Sequence, residues 1–405
     1  MNNTQHKLIE LLSNSIRTTD TLNINPNTLN LECLFKEASF HKIDSLIYSS
    51  LDKTLFTKHK DLNILNTQKK ITINTIISQA NHIKKTSNIL KKFNDNNIPV
   101  IILKGLVVRY LYPNPNLRTM CDADILVHPH DLRKVESLLL SLDYTKIEES
   151  DEHGAHLVFY NLNHVIEVHW RLTNKDYYKG NTSFEEELWD NAILFNFEGV
   201  EVLSLGLEDL TLHLCVHMAV HLACHGFGIR QLCDLVLLVE KQGHLINWNL
   251  FLEKAKLSGL EKFSLTIFKI CNLLFNMAIP KELYKAEEIK DKYVKIFIDD
   301  IFDNGVSGRK EESNIFAKEI AFNSDSNNSS VSKKFLTLLF PPLSKMEKKY
   351  NYAKKCKILL PIAWIHHLFE GVNNKDYSLI SKIKILTNTI FVAKKRNKLL
   401  NWLEI

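Results

Sequence analysis

Short alternating apolar runs occupy the middle of this chain, and apolar residues at helical spacing occupy both ends. Strands are predicted at Ile98–Leu103, at Asp122–Val127, at Tyr144–Lys146, at Leu157–Tyr160 and at His164–Leu172, with a helix at Pro129–Leu142 between them. Upstream, Lys7–Leu12 opens one helix, Leu34–Leu51 supplies a second and Ile71–Phe93 a long third. From Gly206 onward the periodicity is largely helical; Asn323–Ser332 reads as an Asn- and Ser-rich loop, and Phe340-Pro341-Pro342 as a break. The expected fold class is α+β, with a small mixed sheet in 97–203 flanked by helical regions at 1–96 and 204–405.

Within that middle region, Cys121-Asp122-Ala123-Asp124-Ile125-Leu126-Val127 places two carboxylates on one strand face, because successive side chains alternate. Like charges held side by side need a cation or a proton between them. The run from His164 to Leu172 alternates too. Ile166, Val168, Trp170 and Leu172 form a core face, whereas Glu167, His169 and Arg171 form a polar one. Paired beside the Asp122 strand, it brings a third carboxylate, Glu167. Oxygen ligands of this kind suit Mg²⁺ or Mn²⁺, bound by a few carboxylates together with substrate phosphates.

Before the Asp pair, Leu103-Lys104-Gly105 leads from a buried strand through a tight turn into a short helix that stops at Pro113. A helix N-terminus there offers N–H groups to an anion, with Lys104 adding a point charge and Gly105 allowing close approach. Arg118 brings a planar fork suited to phosphate. Farther on, His213, His217, His221 and His225 recur every fourth residue, which makes one slowly drifting stripe on a helix. Such a stripe cannot aim four imidazoles at one zinc ion, and no His-Glu-x-x-His pattern intervenes. His217 and His221 are instead candidates to line a substrate cleft. Arg230 and Asp234, four apart on the next helix, form an intrahelical pair or face that cleft.

With 405 residues, the chain has room for two or three domains and ample cores. A net charge of +5 permits an anionic substrate without requiring nucleic acid, which is not favoured as a partner. Lysine clusters at Lys348-Lys349, Lys354–Lys357 and Lys394–Lys398 read as solvated helix faces. No apolar run approaches the roughly 20 residues of a membrane span. The N-terminal residues do not predict a secretory leader, and seven scattered cysteines without Cys-x-x-Cys pairs suggest a reducing, cytoplasmic location.

From about Phe40 to Leu172 the chain resembles the uncharacterised nucleotidyltransferase family of bacteria, within the DNA polymerase β-like superfamily. The resemblance rests on Leu103-Lys104-Gly105, Tyr112-Pro113, Leu117-Arg118, Asp122-Ala123-Asp124-Ile125-Leu126-Val127 and Glu167-Val168-His169-Trp170-Arg171, and continues loosely through His217, His221, Arg230 and Asp234. It implies a nucleotidyltransferase core in which Asp122 and Asp124 bind the metals of an NTP–Mg²⁺ complex. Glu167 would complete the catalytic triad and help activate the acceptor hydroxyl. Lys104, Gly105, Arg118 and His169 would contact the nucleotide. The superfamily usually carries Gly-Ser or Gly-Gly at the phosphate turn, where this chain has Lys104-Gly105-Leu106. The expected activity is Mg²⁺- or Mn²⁺-dependent transfer of a nucleoside monophosphate from an NTP, at a site holding two metals. The acceptor would be a hydroxyl or phosphate on a small molecule, peptide or sugar. The alternatives are a non-catalytic, toxin–antitoxin-type nucleotide-binding protein, or sugar transfer from an NDP-sugar.

Overall fold

The computed structural model describes residues 1–147, 155–173, 178, 180–224, 226–305, 336, 340–343, 346, 348–373 and 393–405. The predicted loop at 323–332 and the last histidine of the stripe, His225, lie outside them.

Four helices come first: α1 (Asn3–Ser15), α2 (Leu31–Phe40), α3 (Asp44–Ser50) and α4 (His59–Asp95). Asn2 caps α1, accepting from the Gln5 amide while the Gln5 side chain accepts from the Asn2 amide, so two orphan N–H groups are satisfied reciprocally. The single helix expected over 34–51 is two. At Lys42 the backbone turns left-handed (φ 56°), and the Ile43 amide closes back onto the Ala38 carbonyl, a helix-ending turn usually built on glycine. No glycine marks this stop, which is why periodicity ran through it.

Among the described residues there are seven strands: β1 (Ile101–Ile102), β2 (Asp122–Leu126), β3 (Thr145–Lys146), β4 (His156–Asn161), β5 (His164–His169), β6 (Ile193–Phe197) and β7 (Val200–Ser204). They form one mixed sheet in the order β3-β4-β5-β2-β1-β7-β6, with β2 parallel to β5 and β1 parallel to β7. The β6–β7 hairpin was not among the expected strands. Its signal was present, because apolar-polar alternation flanks Glu198-Gly199, and both of these adopt positive φ (50° and 82°) as a two-residue hairpin turn demands.

Between β1 and β2 lie α5 (Gly105–Val108), continued by a 3₁₀ turn over Arg109–Leu111, and a second 3₁₀ turn over Pro115–Leu117. The row of free amides expected there is not available. Leu106 N–H bonds to Leu103 O, and those of Val107 and Val108 bond to Lys104 O. Helix α6 (Leu132–Ser141) follows β2, and beyond the sheet come α7 (Leu207–Cys224), α8 (Ile229–Gln242), α9 (Trp248–Leu257), α10 (Glu261–Phe275) and α11 (Asp291–Asn304).

Strand alternation divides the core. Ile102, Ala123, Ile125, Ile166 and Val168 pack with Ile83, Leu90 and Phe93 of α4 and with Val135 and Leu139 of α6. On the opposite face, Ile101, Leu103 and Leu126 join a larger cluster built from α7 to α11 and from α1 to α3. Asp122 and Asp124 share the face of Leu126, so they point towards α7 and α8. No helix among the described residues is long and apolar enough to cross a membrane.

Candidate active site

Strand β2 runs parallel to β5 with Asp124 opposite Glu167 and Asp122 opposite Val165. Three carboxylates therefore share one sheet face. Together with Lys104, Gly105, Arg118, His169, His217, His221, Arg230 and Asp234 they line one cleft of about 500 Å³. Its floor is the sheet, and its far wall is α7 and α8.

Asp124 is the most constrained of the acids. Its Oδ1 lies 3.0 Å from Lys104 Nζ and 3.0 Å from His169 Nε2. Burial opposes a charge here, but Lys104 and the His169 hydrogen bond overcome it and hold the carboxyl well below the usual range. Asp122 goes the other way, pushed up to about 6 by burial and by the carboxylates of Asp124 and Glu167. A crowded acid of this kind gains from a bound cation. Burial likewise disfavours the Lys104 ammonium, yet Asp124, Glu167 and Asp122 around it raise its pKa. Its left-handed backbone (φ 43°) turns the chain into α5, so the positive φ falls on the lysine and not on the glycine. Gly105 is needed for another reason. A Cβ there would run into the Arg118 guanidinium and come within 2.6 Å of Met120 Sδ.

Arg118 does not present a free fork. Its Nε and Nη2 bond Asp234 Oδ1 and Oδ2 at 3.2 and 2.6 Å, and Tyr112 donates its hydroxyl to the same carboxylate at 2.8 Å. Burial opposes the guanidinium charge, and Asp234 more than offsets it, raising the pKa. The intrahelical Arg230–Asp234 pair considered from sequence is replaced by this tertiary one. Arg230 bonds instead to the carbonyl and hydroxyl of Thr119. A buried lattice thus ties the approach to β2 onto α8.

The histidine stripe reaches the cleft through His213, His217 and His221. His217 and His221 are 3.0 Å apart, and the Gln231 amide lies 3.3 Å from His217 Nδ1. Burial and the nearby Lys104 charge hold both His213 and His217 neutral, well below the usual pKa. Both ring nitrogens of His213 are buried and find no hydrogen-bond partner among the described residues. His213 was expected only as part of the stripe, and His156 was not expected at the site at all. His156 stands opposite His169 in the β4–β5 hairpin. Counting outward from the Asn161–His164 closure would have located it.

Asp122-x-Asp124 and Glu167 thus lie beside a lysine turn on a sheet with helices on both faces. Residues 27–276 match the family described as uncharacterised nucleotidyltransferase, and the chain belongs to that family. Among solved structures it is similar to the antibiotic-resistance factor ANT(2'')-Ia in solution, at 12% identity over 44% of this chain and 96% of that one, with a TM-score of 0.33. That likeness is too slight to bear on function. No curated protein matches the chain.

Proposed function

We propose that this protein transfers a nucleoside monophosphate from an NTP, bound with Mg²⁺ or Mn²⁺, to an acceptor hydroxyl or phosphate on a small molecule, peptide or sugar. The observation that carries this reading is the convergence of Asp122, Asp124 and Glu167 on one face of paired strands, opposite Lys104. The donor chemistry fits hard divalent ions, since three carboxylate side chains face one cleft and Asp122 is driven towards protonation by burial and by its acidic neighbours. Bound there, such ions would neutralise phosphate charge and stabilise the attacking and leaving oxygens.

The chain's own groups do the rest. Asp124 is kept ionised by Lys104 and His169, ready as a ligand without first losing a proton. Lys104, once a cation takes over Asp124, can turn its ammonium to a phosphate oxygen. Glu167 keeps about a quarter of its side chain exposed (23%), and so can receive the acceptor's proton at the cleft mouth. Arg118 and Gly105 shape the wall beside the phosphates, with Arg118 held by Asp234. The neutral imidazoles of α7 and the Gln231 amide offer hydrogen bonds to an uncharged, hydroxyl-bearing part of the substrate.

The test is to incubate the protein and Mg²⁺ with each NTP labelled at the α-phosphorus, and separately with sugar-labelled NDP-sugars, in cell extract. Mass spectrometry then identifies what acquires the label. Label from an NTP supports the proposal. Label only from the sugar, or from neither donor, overturns it.

A further inference from the structure

Beside the carboxylates, β4 and β5 bring together a group of different chemistry. His156 and His169 face each other across the hairpin, with ring centroids 4.8 Å apart. Glu167 Oε2 lies 3.4 Å from His169 Nε2 and 4.0 Å from His156 Nε2. One ligand atom from each of the three falls within 4.8 Å of the others. Zinc–nitrogen and zinc–oxygen bonds of about 2.0–2.2 Å place neighbouring tetrahedral ligand atoms roughly 3.3–3.6 Å apart, so this group closes on an ion with small side-chain movements once His169 Nε2 gives up its 3.0 Å hydrogen bond to Asp124 Oδ1.

We infer that His156, Glu167 and His169 form a binding site for a borderline transition-metal dication such as Zn²⁺ or Co²⁺, separate in ligand chemistry from the carboxylate site. Imidazole nitrogen suits such ions and is a poor match for Mg²⁺. Asp124 keeps Lys104 as its partner at 3.0 Å, so the ion sits on the His156 side of Glu167. Three protein ligands leave at least one coordination position open to water or substrate. Glu167 belongs to both groups. An ion held by the two histidines therefore draws Glu167 away from Asp122 and Asp124, and Zn²⁺ becomes an inhibitor of any Mg²⁺-dependent turnover.

The probe is Co²⁺ titrated into the full chain, read by its visible d–d absorption, with Zn²⁺ competition and calorimetry. His156 has a partly exposed side chain (36%), so His156→Ala removes a ligand without emptying the core. We expect one Co²⁺ per chain, displaced by Zn²⁺ but not by millimolar Mg²⁺, and at least a tenfold weaker affinity in His156→Ala. Asp122→Asn should leave Co²⁺ binding within about twofold. A wild-type protein without the absorption band, or unchanged affinity in His156→Ala, overturns the site. The metal readout needs no turnover, so it stands or falls apart from the transferase proposal, which fails instead through the labelled-donor experiment.

Discussion

Asp124 and Glu167 stand directly opposite each other on parallel strands, yet they live in different electrostatic worlds. Asp124 is buried and clasped by Lys104 and His169, whereas Glu167 is partly open to the cleft. Such a division suits one acid to hold a cation and the other to meet the incoming substrate.

Asp122→Asn should abolish Mg²⁺-dependent nucleotide turnover, by at least 100-fold, while raising stability. The folded pKa of Asp122, about 6, lies above the ordinary 3.8 of an aspartate. Relative to the protonated form, the ionised acid therefore weakens the fold as pH rises through 6. Removing the charge at pH 8, above both values, should gain about 3 kcal/mol. Parallel assays of turnover and urea unfolding check both halves, and retained turnover would remove Asp122 from the chemistry.

Lys104→Ala should weaken NTP binding at least tenfold by calorimetry and lower stability, because Asp124 keeps a buried charge without its nearest cation. The stability loss should be about 3 kcal/mol. An unaltered affinity would exclude Lys104 from the nucleotide site.

Asp234→Ala strands the Arg118 guanidinium in the interior and leaves the Tyr112 hydroxyl without its acceptor. Breaking a buried pair from one side costs about 3–5 kcal/mol. A urea midpoint within error of wild type would mean the pair carries no such weight.

Gly105→Ala forces the Arg118 and Met120 side chains to shift. The expected loss is about 1–3 kcal/mol. A thermal melt checks it, and an unshifted Tm would show that this wall is more yielding than the geometry implies.

Acid should destabilise the protein through a buried histidine pair on the other side of the sheet. Thr86 donates its only hydroxyl proton to the His82 carbonyl, so His164 Nε2–H donates to Thr86, and His164 Nδ1 accepts from Tyr144. Burial and the neighbouring His82 push His164 down to about 3, and burial takes His82 to about 4. Both folded pKa values lie below the ordinary 6.5, so the stability is fully present above that pH. It is lost as pH falls towards 4 and 3, by about 2 kcal/mol per histidine at pH 5. His164→Gln should show a shallower fall in unfolding free energy between pH 7.5 and 5 than wild type; parallel curves would refute the assignment.

The alternation of Asp122, Ala123, Asp124, Ile125 and of Ile166, Glu167, Val168, His169 was readable in the sequence, because a strand's two-residue period is a property of the local backbone. That was enough to put three acids on polar faces and the aliphatic residues against a core. The β6–β7 hairpin was not expected, although Glu198-Gly199 and its flanking alternation carried its signal. The break at Lys42 was not, because a left-handed turn on a lysine leaves no compositional mark. What only the tertiary structure decided is how the charges are paired. Arg118 closes on Asp234, 116 positions away, in place of a phosphate. Lys104 clasps Asp124, and His213 arrives over the cleft on a helix that follows the sheet. These depend on which distant groups are buried together. A buried charge takes whatever partner packing brings within reach, and local periodicity carries no record of that choice.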